Sequence, residues 1–178
     1  GGNPSHEAFP LKELENIARI VFENNPITAL QYSVTEGYPL LRDAVKSFAQ
    51  SREPGILHPG DDIIITTGAQ QAIDLATKAL VNEGDTILCE DPSFIGALNT
   101  FRTYRANLVG VELEEDGISV EKLEAGLKEH RDAKILYLIP NFQNPTGGTM
   151  SLEKRRAVYD LCLRHHVMIL EDNPYGDL

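Results

Sequence analysis

The sequence predicts an α/β protein built on a doubly wound, mainly parallel sheet. Three observations carry that expectation: apolar, β-branched runs recur along the chain, helix-length segments separate them, and turn residues mark the junctions. Leu11, Leu14, Ile17, Ala18, Val21 and Phe22 recur at helical spacing and predict an amphipathic helix near the amino terminus. Asp62 to Thr66 carries three consecutive isoleucines between Pro59-Gly60 and Gly68, which reads as the first buried strand. A helix from Ala69 to Val81, a strand from Thr86 to Cys89, a helix near Phe94 to Tyr104, a strand from Asn107 to Leu113 and a helix from Ser119 to Lys128 follow. Strands at Lys134 to Ile139 and Val167 to Leu170, joined by a helical segment, complete the series. Ser119 and Ser151 each stand where a helix cap is needed, and Glu121 and Glu153 in the first turns suit the helix dipole.

The 178 residues suffice for one sizeable core, and 42% hydrophobic with 24% charged residues is ordinary for a folded globular chain. A formal net charge of −11, with 27 acidic against 16 basic residues, disfavours a nucleic-acid surface, which needs clustered cations. No stretch approaches the roughly 20 apolar residues of a membrane span. The amino terminus lacks the pattern of a signal peptide, so a cytoplasmic location is expected. The two cysteines, Cys89 and Cys162, read as small core residues rather than as a disulfide or metal framework. His165 and His166 fall near a helix carboxyl end, where a partly positive side chain is favoured, and no metal site is expected.

Polar residues with chemical potential cluster at the expected carboxyl ends of strands, where open α/β sheets bind ligands. Gly68-Ala69-Gln70 follows the first predicted strand and opens a helix, so backbone N–H groups there can face an anion; a glycine that only turns strand into helix reads equally well. Asp91-Pro92-Ser93-Phe94 ends the second strand, and Phe94 either fills core or offers a ring on which a flat ligand stacks. Asn144-Pro145-Thr146-Gly147 and Glu171-Asp172-Asn173-Pro174-Tyr175 end the last two strands and bring an amide, a carboxylate and a phenol to one sheet edge. Asp172 is either a turn former or a carboxylate held against a heterocyclic nitrogen. The second role suits pyridoxal phosphate, whose protonated pyridine ring acts as an electron sink. Neither a dinucleotide fingerprint nor a P-loop is present.

These four motifs, in this order, closely resemble the class I/II aminotransferases of the fold-type I pyridoxal-phosphate enzymes, in particular the 2-aminoadipate, kynurenine and aromatic aminotransferase branch. The resemblance covers essentially the whole chain. It implies that Gly68, Ala69 and Gln70 bind the cofactor phosphate, that Phe94 stacks on the pyridine ring, that Asn144 and Tyr175 contact the ring hydroxyl oxygen, and that Asp172 pairs with the ring nitrogen. It also implies a homodimer in which Tyr32, from Leu30-Gln31-Tyr32-Ser33, crosses to the neighbouring phosphate. Gly2, in the segment Gly1-Gly2-Asn3-Pro4, is placed near the substrate. Amino acids and 2-oxo acids are the substrates implied, with no nucleic-acid or membrane partner.

The departures from that pattern set further expectations. The family's Schiff-base lysine lies downstream of the Asp-x-x-Tyr segment, and all seven lysines of this chain precede it, at positions 12, 46, 78, 122, 128, 134 and 154. Residues 1–50 are expected to form an amino-terminal segment and helices leading into the large domain, and residues 51–178 a partial cofactor-binding large domain, with the small carboxyl-terminal domain absent. The strand at Asp62 to Thr66 is then expected to lack its sheet partners, and the chain to be an inactive fragment of a longer one. Two other functions are compatible with the same motifs: the aminotransferase-like sensor domain of a transcription regulator, and a lyase or decarboxylase of the same fold type.

Overall fold

The computed structural model describes residues 5–177. The chain divides into two compact units, residues 1–65 and 66–178.

The amino-terminal unit is helical: a short 3-10 turn at His6–Ala8, then α1 (Leu11–Asn24), α2 (Pro26–Leu30) and α3 (Pro39–Arg52). Pro26 and Pro39 open α2 and α3, where a missing N–H costs nothing and the fixed φ already suits a helix. The apolar stripe predicted for α1 is present, yet Leu14, Ile17 and Phe22 are all more than half exposed, and no described residue of this unit is buried. The isoleucine run at Asp62 to Thr66, expected as a strand without its sheet partners, forms no ladder and so is not a strand. A strand needs a neighbour to take its backbone groups. Here the Arg42 guanidinium donates to the Ile63 carbonyl at 2.7 Å and the Ile65 amide to the Glu36 carbonyl at 2.9 Å. Lys46, and after it Arg42, hold the Asp62 carboxyl well below the usual carboxylate range.

The second unit holds the sheet. Its elements are α4 (Ala69–Leu80), β1 (Thr86–Asp91), α5 (Ile95–Thr103), β2 (Asn107–Glu114), β3 (Gly117–Ile118), α6 (Val120–Glu129), β4 (Ala133–Leu138), α7 (Leu152–His165) and β5 (Met168–Glu171). The strand order is β3-β2-β1-β4-β5. All pairings are parallel except the hairpin of β2 with β3, so the doubly wound, mainly parallel sheet expected from the sequence is what forms. Four of the five predicted strands are found within two residues of their expected ends; the fifth member of the sheet is the short β3, which no periodicity announced. Ser151 caps α7 by accepting from the Lys154 amide, whereas Ser119 occupies the cap position of α6 without a capping bond.

Alternation along the central strands builds two cores. Leu88, Leu136 and Leu138 point to one face, where they pack with Leu123 and Leu127 of α6 and Val158, Leu161 and Cys162 of α7. Ile87, Cys89, Ile135 and Tyr137 point to the other, against Ile73 of α4 and Ala97 and Phe101 of α5. The period of two along a strand makes this division automatic, and covering both faces is what a parallel sheet requires. Both cysteines are buried, as expected, and burial pushes each thiol up to about 11. Among the described residues no helix is long and apolar enough to cross a membrane, and no group of side chains could hold a metal ion.

Leu88 is wholly buried at the centre of the first core. Leu88→Ala removes its packing and leaves a cavity, so chemical denaturation is expected to show a loss of about 2–5 kcal/mol.

Candidate functional site

The carboxyl ends of β1, β4 and β5 and the start of α4 enclose a cleft of about 220 Å³, lined by Ala69, Gln70, Phe94, Ile139, Asn144, Asp172, Pro174 and Tyr175. Six of these eight are residues singled out in the sequence, so residues as far apart as Ala69 and Tyr175 meet at one sheet edge. Gly68 adjoins them as the cap of α4. Tyr32 belongs to the amino-terminal unit, where it is 99% exposed, and Gly2 lies outside the described residues.

Gly68 has φ +79° and ψ 165°, a region that glycine alone enters readily, and no atom lies within 4 Å of where its Cβ would stand. The chain thereby turns sharply into α4. The N–H groups of Ala69 and Gln70, in the first turn, have no acceptor within the helix. The Gln70 side chain is otherwise engaged: its amide nitrogen donates to Thr100 Oγ1 and to the Gly96 carbonyl on α5. Any contact Gln70 makes with an anion therefore falls to its backbone.

Phe94 caps α5, and its ring lies against Gly96, where an added Cβ would come within 2.5 Å of Phe94 Cζ. Glycine at position 96 is what lets that ring lie there.

The loop that carries Asn144 is held from both sides. Gln143 is 4% exposed and spends its whole side-chain amide: Nε2 donates to Glu90 Oε2 at 3.1 Å and to the Pro92 carbonyl at 2.9 Å, while Oε1 accepts from the Thr146 amide at 3.0 Å and hydroxyl at 2.8 Å. Arg155 of α7 clamps the loop base, donating to the Met150 and Pro140 carbonyls and to Asn141 Oδ1. The Asp91-Pro92 and Asn144-Pro145 peptides are both cis. Asn144, on this fixed loop, makes no side-chain hydrogen bond to another described residue.

Asp172 follows β5, with its amide donating to the Leu138 carbonyl at 2.8 Å. The Tyr137 hydroxyl donates to Asp172 Oδ2 at 2.7 Å, which leaves Oδ1 open. Tyr175 lies three residues further on and lines the same cleft. A neighbouring cleft of about 340 Å³ is lined by Glu90, Asp91, Gln143, Thr146 and the β2–β3 hairpin. It is larger, but it lacks the aromatic ring, the free amide and the phenol.

Glu90 is 2% exposed, and burial raises its carboxyl to about 7 despite the bonds it accepts from Gln143 and from the Ile139 amide at 3.1 Å. Glu90, Gln143, Gly96, Arg155 and Tyr137 were not singled out in the sequence. A carboxylate continuing the apolar run of β1 was a visible signal for Glu90. For Tyr137, set among strand residues, there was none.

Residues 10–178 match the family "aminotransferase class I and II". The chain is 40% identical over its whole length to the 2-aminoadipate transaminase of Thermus thermophilus and 38% identical to aromatic-amino-acid aminotransferase 1 of Thermococcus litoralis, spanning 43% of each. Its structure superposes with a TM-score of 0.93 on the kynurenine aminotransferase of Pyrococcus horikoshii, at 34% identity, over all of this chain and 45% of that one. The chain therefore belongs to the class I and II aminotransferase family. It spans less than half the length of these relatives.

Two outcomes follow from the site. Gly68→Ala forces an alanine into a glycine-only conformation, and a stability loss of about 1–3 kcal/mol is expected in denaturant titrations. For Glu90 the folded state holds its proton more tightly than the unfolded chain, so its contribution is fully present below the ordinary value of 4.5 and is lost as pH rises through about 7. Glu90→Gln keeps an oxygen acceptor for Ile139 and Gln143 but cannot ionise. Melting temperatures across that range are expected to fall with rising pH more steeply in the wild-type protein than in the variant.

Proposed function

We propose that this chain forms the cofactor seat of a pyridoxal-phosphate-dependent aminotransferase that moves an amino group between an amino acid and a 2-oxo acid. The observation that carries the proposal is the convergence, in one cleft, of a helix amino terminus, an aromatic ring, an unpartnered amide, a carboxylate and a phenol. These groups fit the cofactor in kind. The open space at Gly68 and the unpaired N–H groups of α4 suit a phosphate, and the cleft offers donors and acceptors without internal partners. When bound, pyridoxal phosphate supplies a reactive carbonyl for the amino group and a ring that accepts electrons.

The residues of the chain then divide the work. Gly68, Ala69 and Gln70 hold the phosphate through the backbone, and Phe94 covers one ring face and keeps water from it. Asn144 and Tyr175 orient the ring through its hydroxyl oxygen. Asp172 holds a proton on the ring nitrogen, which maintains the electron sink. In the same reading, residues 1–50 lead into the large domain and residues 51–178 form its cofactor-binding part. Gly2 stands near the substrate, and Tyr32 crosses to the phosphate of a second copy. The exposure of Tyr32 and of the apolar stripe of α1 supports that dimer. A cytoplasmic location suits the two unpaired, buried thiols.

In the full-length protein, titration with pyridoxamine 5′-phosphate followed by absorbance is expected to show saturable binding. Asp172→Ala, which removes the partner of the ring nitrogen, is expected to weaken it at least about tenfold, the worth of a charge-assisted hydrogen bond. Equal affinity in wild type and variant would overturn the assignment of the cleft.

A further inference from the structure

Tyr137 lies inside the second core, fully buried, with its ring edge against Phe101 at a centroid distance of 5.5 Å. Its position near the end of β4 lets its hydroxyl leave the core and donate to Asp172 Oδ2 at 2.7 Å. The Asp172 backbone is fixed to the same strand by its bond to the Leu138 carbonyl. The aspartate is thus held at two points by consecutive residues of β4, while its remaining oxygen has no partner among the described residues.

We propose that Tyr137 is a positioning residue that orients Asp172 and sets how strongly its carboxylate competes for the proton of a ring nitrogen in the cleft. The proposal rests on the pyridoxal-phosphate reading above. A phenol donating to Oδ2 aims Oδ1 and disperses the charge of the carboxylate, which lowers its basicity. A less basic carboxylate leaves the shared proton on the nitrogen, where the electron sink needs it. The other titratable groups near Tyr137 are Glu90 and Cys89 on β1; burial, Asp172 and these groups all raise the phenol, so it stays a donor rather than becoming an acceptor.

The test uses the full-length protein loaded with pyridoxamine 5′-phosphate carrying nitrogen-15 in the ring. Tyr137→Phe keeps the ring and its edge contact with Phe101 and removes only the donor. Its ring-nitrogen resonance is expected to move from the protonated position toward that of neutral pyridine, and binding is expected to weaken about three- to tenfold, the worth of one hydrogen bond. Phe101→Leu loosens the packing around Tyr137 and leaves the donor in place; its melting temperature should fall while the resonance stays at the wild-type position. An unmoved resonance in Tyr137→Phe, or an equal displacement in Phe101→Leu, overturns the proposal while leaving the cofactor reading intact. A wild-type protein that binds no pyridoxamine phosphate, or holds its ring nitrogen unprotonated, overturns the cofactor reading and this inference with it.

Discussion

Gln143 ties together the two loops on which the cleft depends. Parallel strands end with their backbone groups unpaired beyond the ladder, and the exits of β1 and β4 lie side by side at such an end. One buried amide supplies donors to Glu90 and Pro92 on the first exit and acceptors to Thr146 on the second. Of the groups it serves, Glu90 is the buried one, and its Oε2 accepts from the Ile139 amide as well. Phe94 leaves one of these loops and Asn144 rides on the other, so the spacing between the aromatic ring and the polar amide depends on the bonds of Gln143. The raised carboxyl of Glu90 shows that the compensation is incomplete: burial outweighs the bonds it accepts.

The sheet supplies the second constraint. Alternation in β4 sends Leu136 and Leu138 to the face of α6 and α7 and Tyr137 to the face of α4 and α5. The same parity brings the tyrosine hydroxyl beneath the residue that follows β5. Core and site are not separate layers here, since one strand residue fills the interior with its ring and addresses the cleft with its oxygen. Gly96 plays the corresponding part on α5 by giving up a side chain where the Phe94 ring lies.

The amino-terminal unit follows another logic. Its helices start where proline permits and carry the apolar stripe that their spacing promises, yet they bury nothing among the described residues. Helical periodicity shows only that a face is apolar. It says nothing of what covers that face. The isoleucines at 63 to 65 illustrate the limit: β-branched residues favour extended backbone, and extended backbone forms, but without a neighbouring strand it is satisfied by Arg42 and Glu36 instead of a ladder.

The sequence by itself determined the alternation of strands and helices, the parallel sheet, and the polar groups that gather at its carboxyl edge. Those features are written in periods of two and of 3.6 residues and in turn chemistry, which are local. Only the tertiary structure decided which polar groups meet and which are held in reserve. Gln143 and Glu90 are 53 residues apart, and Tyr137 and Asp172 are 35 apart, and nothing local announces either pair. It likewise decided that the Gln70 amide is committed to α5 and that Arg42 and Glu36 take up backbone groups of the run at Asp62. Pairings of that kind depend on register between strands and on burial, and both arise only when distant segments pack.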